Sequence, residues 1–138
     1  MIDNYFTEAL RTLPSDGNQL ALAADGAVKI ELDGVEMTFV VPESATEVVY
    51  CRTCVGAVEG LDSDALSLAL LADNYMWQAT SGATLSVRGG SVYLSDRRDD
   101  AEFESSAVLA DYIARFASTV RMLRTRMETF RKTEGGAA

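Results

Sequence analysis

The residues in this chain with the clearest chemical potential are Cys51 and Cys54, set three apart in Cys51-Arg52-Thr53-Cys54. A CxxC pair is the spacing of dithiol redox centres and of half a zinc site. Both uses need a context. A redox pair sits where a helix begins, whereas this one falls in a run that reads as a strand. Positions i and i+3 on a strand face opposite ways, which opposes a bridge or shared coordination. The chain has no histidine, so the commonest general base and metal ligand is missing, and Ser-His-Asp and Cys-His catalysis cannot be built. With two cysteines and no histidine, a closed zinc site would draw on two subunits. A structural role for both cysteines is expected.

Other signals read the same way. Gly89-Gly90 lacks the GKS or GKT of a phosphate loop and fits a hairpin turn. Asp99, Asp100, Glu102 and Glu104 do not match a calcium loop, and a solvated linker before the last helix is expected there. Trp77 suits an interface anchor better than a ligand pocket. Asn74 suits a helix cap or loop organiser. No catalytic residue, metal or cofactor is expected.

The elements that position these residues follow from periodicity. Ile2, Tyr5, Phe6, Ala9, Leu10 and Leu13 form one helical stripe, stopped by Pro14 and SDGN. Alternating runs at residues 19–24, 27–32 and 35–41 are joined by Asp25-Gly26 and Asp33-Gly34, strong hairpin signals. A further strand is expected over residues 47–55. These strands predict an antiparallel meander with one buried face. Asp62 or Ser63 caps a second helix. Two short strands follow, at residues 83–88 and 91–95. A long helix then runs from Ser105 or Ser106 to Lys132, with Val108, Tyr112, Phe116, Val120, Leu123, Met127 and Phe130 as its stripe. The expected class is α+β, in the order α-β-β-β(-β)-α-β-β-α: an antiparallel sheet packed with three helices. One domain is expected over residues 1–132, with a disordered tail over 133–138.

The second helix differs from the others. Leu66, Leu68, Leu70, Leu71, Tyr75, Met76 and Trp77 leave little room for a polar side. A helix that is apolar all round must be covered on more than one side. The chain's own sheet supplies one cover, and a second copy of the chain is the expected other.

Net charge is −9, from 12 basic and 21 acidic side chains. From Arg115 onward the chain is basic, leaving six basic and nineteen acidic side chains on residues 1–114, a balance of −13. Such a field repels nucleic acid. The basic end reads as a solvated helix face, with contact to acidic surface in a dimer as the alternative. No stretch has the roughly 20 apolar residues of a membrane span. The start, MIDNYFTEAL, lacks the basic and apolar regions of a secretion signal, so a cytoplasmic location is expected.

Residues 70–87, LLADNYMWQATSGATLSV, resemble the class I chaperones of bacterial type III secretion, the Tir-chaperone or CesT-like family. Members often show a Leu-Leu-x-x-Asn helix end, a Gly-containing loop and an Ala-x-Leu strand. Here these are Leu70, Leu71, Asn74, Gly82, Ala83 and Leu85. The long C-terminal helix also matches, and the resemblance spans residues 2–132. It implies a non-enzymatic homodimer that holds the N-terminal segment of a secreted effector extended, without ATP. It implies a dimer contact through Leu68, Leu71, Tyr75, Trp77, Leu85 and Val87. It implies an effector surface on the first helix and adjoining sheet, with Tyr5, Phe6, Leu10, Leu13, Leu22 and Ile30 as candidates. A small dimeric adaptor that binds folded partners is the alternative, and a thiol redox or metal protein the third.

Overall fold

A computed structural model describes residues 5–12, 27–42, 44–77 and 80–132. In chain order the elements are α1 (Tyr5–Thr12), β1 (Ala27–Leu32), β2 (Val35–Val40), β3 (Val48–Ala57), α2 (Ser63–Asn74), β4 (Thr84–Arg88), β5 (Ser91–Asp99) and α3 (Ser106–Glu128). Single 3-10 turns follow α2 (Tyr75–Trp77) and β5 (Asp100–Glu102). This is the expected α+β order with three strands before α2. The additional strand expected at residues 19–24, the 133–138 tail, Leu13 and Leu22 lie outside the described residues.

The five strands form one antiparallel sheet in the order β1-β2-β3-β5-β4. Asp33-Gly34 turns β1 into β2 with both residues at positive φ, 50° and 79°. Gly89-Gly90, at 58° and 78°, joins β4 to β5 as the sequence predicts. Paired positive φ angles give the turn whose twist matches that of the strands it joins.

One face of the sheet buries Val28, Ile30, Val35, Met37, Phe39, Val49, Cys51, Val55, Val92 and Leu94. α1 and α3 cover it. Phe6 on α1 stands 5.3 Å from Phe39 and meets Phe103 edge-on at 5.5 Å, and Phe103 meets Tyr112 edge-on at 5.2 Å. Such tilted ring pairs add about 0.5–1.5 kcal/mol each beyond area burial. On α3, Ser105 accepts from the Val108 N–H as the N-cap. Farther along, the Arg124 guanidinium donates to the carbonyls of Val55, Gly34 and Cys54 at 3.0, 3.0 and 3.2 Å. It ties α3 to the turn and to the irregular register at Cys54/Gly56.

Four expectations are corrected. β5 runs to Asp99, because Asp96 pairs with the buried Tyr112 and with Arg98, which lets a polar run continue the ladder. Asp100 is buried, its N–H donating to the Glu47 carbonyl, so this is a packed turn and not a solvated linker. α3 ends at Glu128, after which residues 130–132 pair with residues 60–62. Val108 is exposed, and Leu109 and Ile113 take the buried places beside Tyr112 and Phe116.

Candidate functional site

α2 begins at Asp62, whose side chain accepts from the Ala65 N–H. Its apolar residues divide into two stripes. Leu66 and Leu70 (i, i+4) face inward, with the acidic Asp73 one turn on along the same side, while Leu68, Leu71 and Tyr75 (i, i+3, i+7) lie on the opposite side. Leu66 is buried and Leu70 packs against the core. Asp73 is buried and ion-paired with Arg126 of α3. Part of the basic end thus meets acid within one chain, as does Arg121 with Asp33 at 3.4 Å.

The outer stripe is uncovered. Leu68 is 71% exposed, Leu71 69% and Tyr75 78%. Beside them stand Met76, Trp77 and, on β4, Val87, each at least half exposed. These belong to one neighbourhood because α2 packs on β4. Of the six residues expected at the dimer contact, the structure leaves Leu68, Leu71, Tyr75, Trp77 and Val87 on the surface and buries Leu85 in the core, opposite Leu94. Large contiguous apolar patches are uncommon on monomers and mark interaction surfaces.

Asn74 explains how α2 is held there. Its Oδ1 accepts from the Leu85 N–H at 2.8 Å and its Nδ2 donates to the Leu85 carbonyl at 3.0 Å. β4 is an edge strand, and Leu85 turns both backbone groups away from β5. The carboxamide fills them as a neighbouring strand would, which blunts the edge at this residue. The sequence reading of Asn74 as an organiser is sharpened to that role.

After Asn74 the backbone turns sharply. Met76 and Trp77 both adopt the left-handed conformation, at φ 55° and 54°, as does Ser81 at 56°. Such residues cost of order 1–3 kcal/mol each and persist where surroundings fix them. Here the Trp77 carbonyl accepts from the Gly82 N–H at 2.9 Å, and the buried Thr80 hydroxyl donates to the Ala83 carbonyl. Gly82 has φ 94°, and a Cβ there would meet Arg98 Nη2 at 3.3 Å. The turn leaves Met76 and Trp77 exposed to solvent.

Behind the sheet lies a polar cluster that sequence reading missed. Tyr112 Oη donates to Asp96 Oδ2 at 2.6 Å, and Arg98 Nε donates to the same oxygen at 2.8 Å. The guanidinium also lies 5.5 Å from the Tyr112 ring centre. Burial first, then Cys51 and Asp96, pushes the Tyr112 hydroxyl up. Burial first, then the Asp96 charge, pushes the Cys51 thiol up. Only the alternation Asp96/Arg98 on β5 signals this cluster in the sequence. Cys51 is buried and Cys54 exposed, on opposite faces of β3, and both are free thiols. Among the described residues no group of three or more Cys, Asp or Glu could hold a metal ion.

The candidate effector surface is more interior than the resemblance implies. Phe6, Leu10 and Ile30 are buried in the hydrophobic core, and Tyr5 is exposed at the surface of α1. No helix among the described residues is long and apolar enough to cross a membrane.

No curated protein sequence matches this chain. Solved structures do. A chain of the ExsC–ExsE complex aligns with TM-score 0.69 at 17% identity, covering 89% of this chain and 90% of that one. A chain of the HopA1–SchA chaperone–effector complex aligns with TM-score 0.62 at 14% identity, covering 88% and 89%. A chain of the heterodimeric ExoU–SpcU complex, from the type III secretion system of Pseudomonas aeruginosa, aligns with TM-score 0.58 at 18% identity, covering 96% and 98%. At these identities the likeness is one of fold. Residues 10–124 match the Tir chaperone protein (CesT) family as a sequence family, and that span holds the Asn74 latch, the two-striped α2 and most of α3. The chain belongs to the Tir chaperone protein (CesT) family.

Proposed function

We propose that this protein is a cytoplasmic, homodimeric chaperone that binds the N-terminal chaperone-binding segment of a type III secreted effector and keeps it extended until export. Membership of a chaperone family, which is not an enzyme class, supports it. So do the solved relatives, which include a chain of a chaperone–effector complex and a chain of a complex from a type III secretion system. The observation that carries the dimer is the uncovered outer stripe of α2 with Trp77 and Val87. Burying a leucine side chain contributes about 1.5–3 kcal/mol, so covering Leu68 and Leu71 on two copies is a substantial gain. Leu85 supports this face from beneath by packing on Leu94.

The effector segment meets the outer side of α1 at Tyr5 and the adjoining sheet, with alternate side chains seated in apolar sites. Phe6, Leu10 and Ile30 hold that surface in shape from the core, and Leu13 and Leu22 remain candidates for contact. An extended partner loses conformational freedom on binding, so a wide contact is required.

The test is co-expression with candidate secreted proteins, followed by truncation from either end. Retention of a short N-terminal segment in a complex with two copies of this chain is expected. If only folded domains bind, the adaptor reading replaces this one. A well-folded monomer by light scattering at micromolar concentration overturns the dimer.

A further inference from the structure

The sheet face turned away from α1 and α3 carries an unusual group. β3 places Tyr50, Arg52 and Cys54 there, and β5 places Arg97, Ser95 and Tyr93 opposite them, in the pairs Tyr50↔Arg97, Arg52↔Ser95 and Cys54↔Tyr93. β4 extends the rows with Thr84, Ser86 and Arg88. Arg52 lies over the Tyr93 ring, 5.5 Å from its centre. Residues 1–114 hold six basic side chains, and three of them, Arg52, Arg88 and Arg97, stand on this strip. Among the described residues none of the three has a carboxylate within ion-pair distance. Elsewhere Lys29 is paired with Glu36, Arg98 with Asp96, Arg115 with Asp111 and Arg131 with Glu128. Next to Arg97 is a hollow of about 470 Å³ lined by Tyr50, Trp77, Gly82, Thr84, Ser95 and Asp96, the Asp96 carboxylate being held by Tyr112 and Arg98. Trp77 is shared with the α2 patch, so the hollow lies at the rim of that face.

We propose that this strip is a docking surface for an extended acidic segment of the secreted partner, with carboxylates on Arg52 and Arg97 and an apolar side chain in the Tyr50–Trp77 hollow. The inference rests on the chaperone reading and adds the chemistry of the partner. Charge complementarity selects the occupant. A guanidinium presents a fork that matches a carboxylate, and its stacking on tyrosine holds that fork in place. The acidic remainder of the chain repels an acidic peptide elsewhere, so the strip fixes where and in what register it lies. Glu31 and Glu36, at the β1–β2 end of the same face, bound the strip on that side.

The experiment uses the whole protein and fluorescein-labelled extended peptides with one phenylalanine and alternating serine, differing only in Glu, Gln or Lys at the remaining positions. Anisotropy should show the Glu peptide binding most tightly, with affinity falling as salt rises. Arg52→Gln with Arg97→Gln should weaken it about tenfold or more, and the paired Lys variants should fall between. Unchanged thermal melting and elution of the Gln variant exclude a folding defect. Equal binding of the three peptides, or undiminished binding by the Gln variant, overturns the inference and leaves the chaperone reading intact. If the Glu peptide binds but no N-terminal segment of a secreted protein does, the assignment of the occupant to a secreted partner is overturned.

Discussion

α2 and α3 are both rich in apolar residues, and the sheet treats them differently. α3 buries Leu109, Tyr112, Ile113, Phe116, Ala117, Val120, Leu123 and Met127 against the strands. α2 buries only Leu66 and Asp73. The difference is spacing. The apolar residues of α3 fall on one broad face, which one sheet can cover. Those of α2 fall on two opposite faces, and a sheet covers only one. Apolar content sets how much cover a helix needs, while its angular distribution sets how many separate covers. The α3 side is complete within one chain, and the α2 side leaves its outer stripe exposed.

The largest test of that contrast is Phe39→Ala on the complete side. Phe39 is fully buried between Phe6 and Tyr112, and its truncation should cost about 3–5 kcal/mol of unfolding free energy in urea. A cost of under about 1 kcal/mol would mean that this core is loosely packed. Leu71→Asp tests the other side. Leu71 is exposed in the single chain, so the variant should fold. It should elute as a monomer in light scattering, because a charge at the contact would be desolvated without a partner. A dimer of undiminished affinity would remove the α2 face as the contact.

Asn74→Ala is the next smaller effect. It leaves the outward N–H and carbonyl of Leu85 without their partner, at about 1–3 kcal/mol, and frees the end of α2 from β4. Asn74→Asp keeps an acceptor for the N–H but sets a second oxygen against the carbonyl, so it should not rescue. Both should weaken the dimer more than Leu85→Val, which keeps the backbone contacts. Thermal melting of each variant, with sedimentation to read the dimer, separates the two effects.

Much of this was legible in the sequence. The strands from Ala27 onward, the hairpins at Asp33-Gly34 and Gly89-Gly90, and the caps at Asp62 and Ser105 are local features set by nearby residues. The two-sided apolar character of α2 was legible too, since it depends only on residue type and angle. What was not legible depended on partners distant in sequence. β5 seemed to stop at Ser95 because Asp96, Arg97 and Arg98 are poor strand residues in isolation. Asp96 is rescued by Tyr112 and Arg98, and Arg97 by the open face. Leu85 could not be told from Val87, two positions on along the same strand, because only the packing of α2 covers one and leaves the other bare. Phe6, Leu10 and Ile30 carry the pattern of a binding surface and of a core alike, and burial of all three depends on elements distant in sequence.

The smallest effect tests the complete side by its protons. Burial holds the Cys51 thiol and the Tyr112 hydroxyl in their neutral forms. In the unfolded chain a cysteine ionises near about 8.5 and a tyrosine near about 10. Below about 8.5 both states keep the thiol proton, and stability does not depend on it. Above that, the unfolded chain releases a proton that the folded chain retains, so the unfolded state binds fewer protons and stability falls as pH rises. The slope is about 1.4 kcal/mol per pH unit for one such group, with Tyr112 adding its share above about 10. Urea unfolding at fixed protein concentration should therefore show stability falling by about 2 kcal/mol between pH 8.5 and 10. Cys51→Val, which keeps the volume and removes the proton, should lose most of that slope. The same slope should survive in Leu71→Asp, since the α2 face lies on the other side of the contrast. A wild-type curve that is flat over this range would mean that water reaches Cys51, and that the side taken here as complete is open.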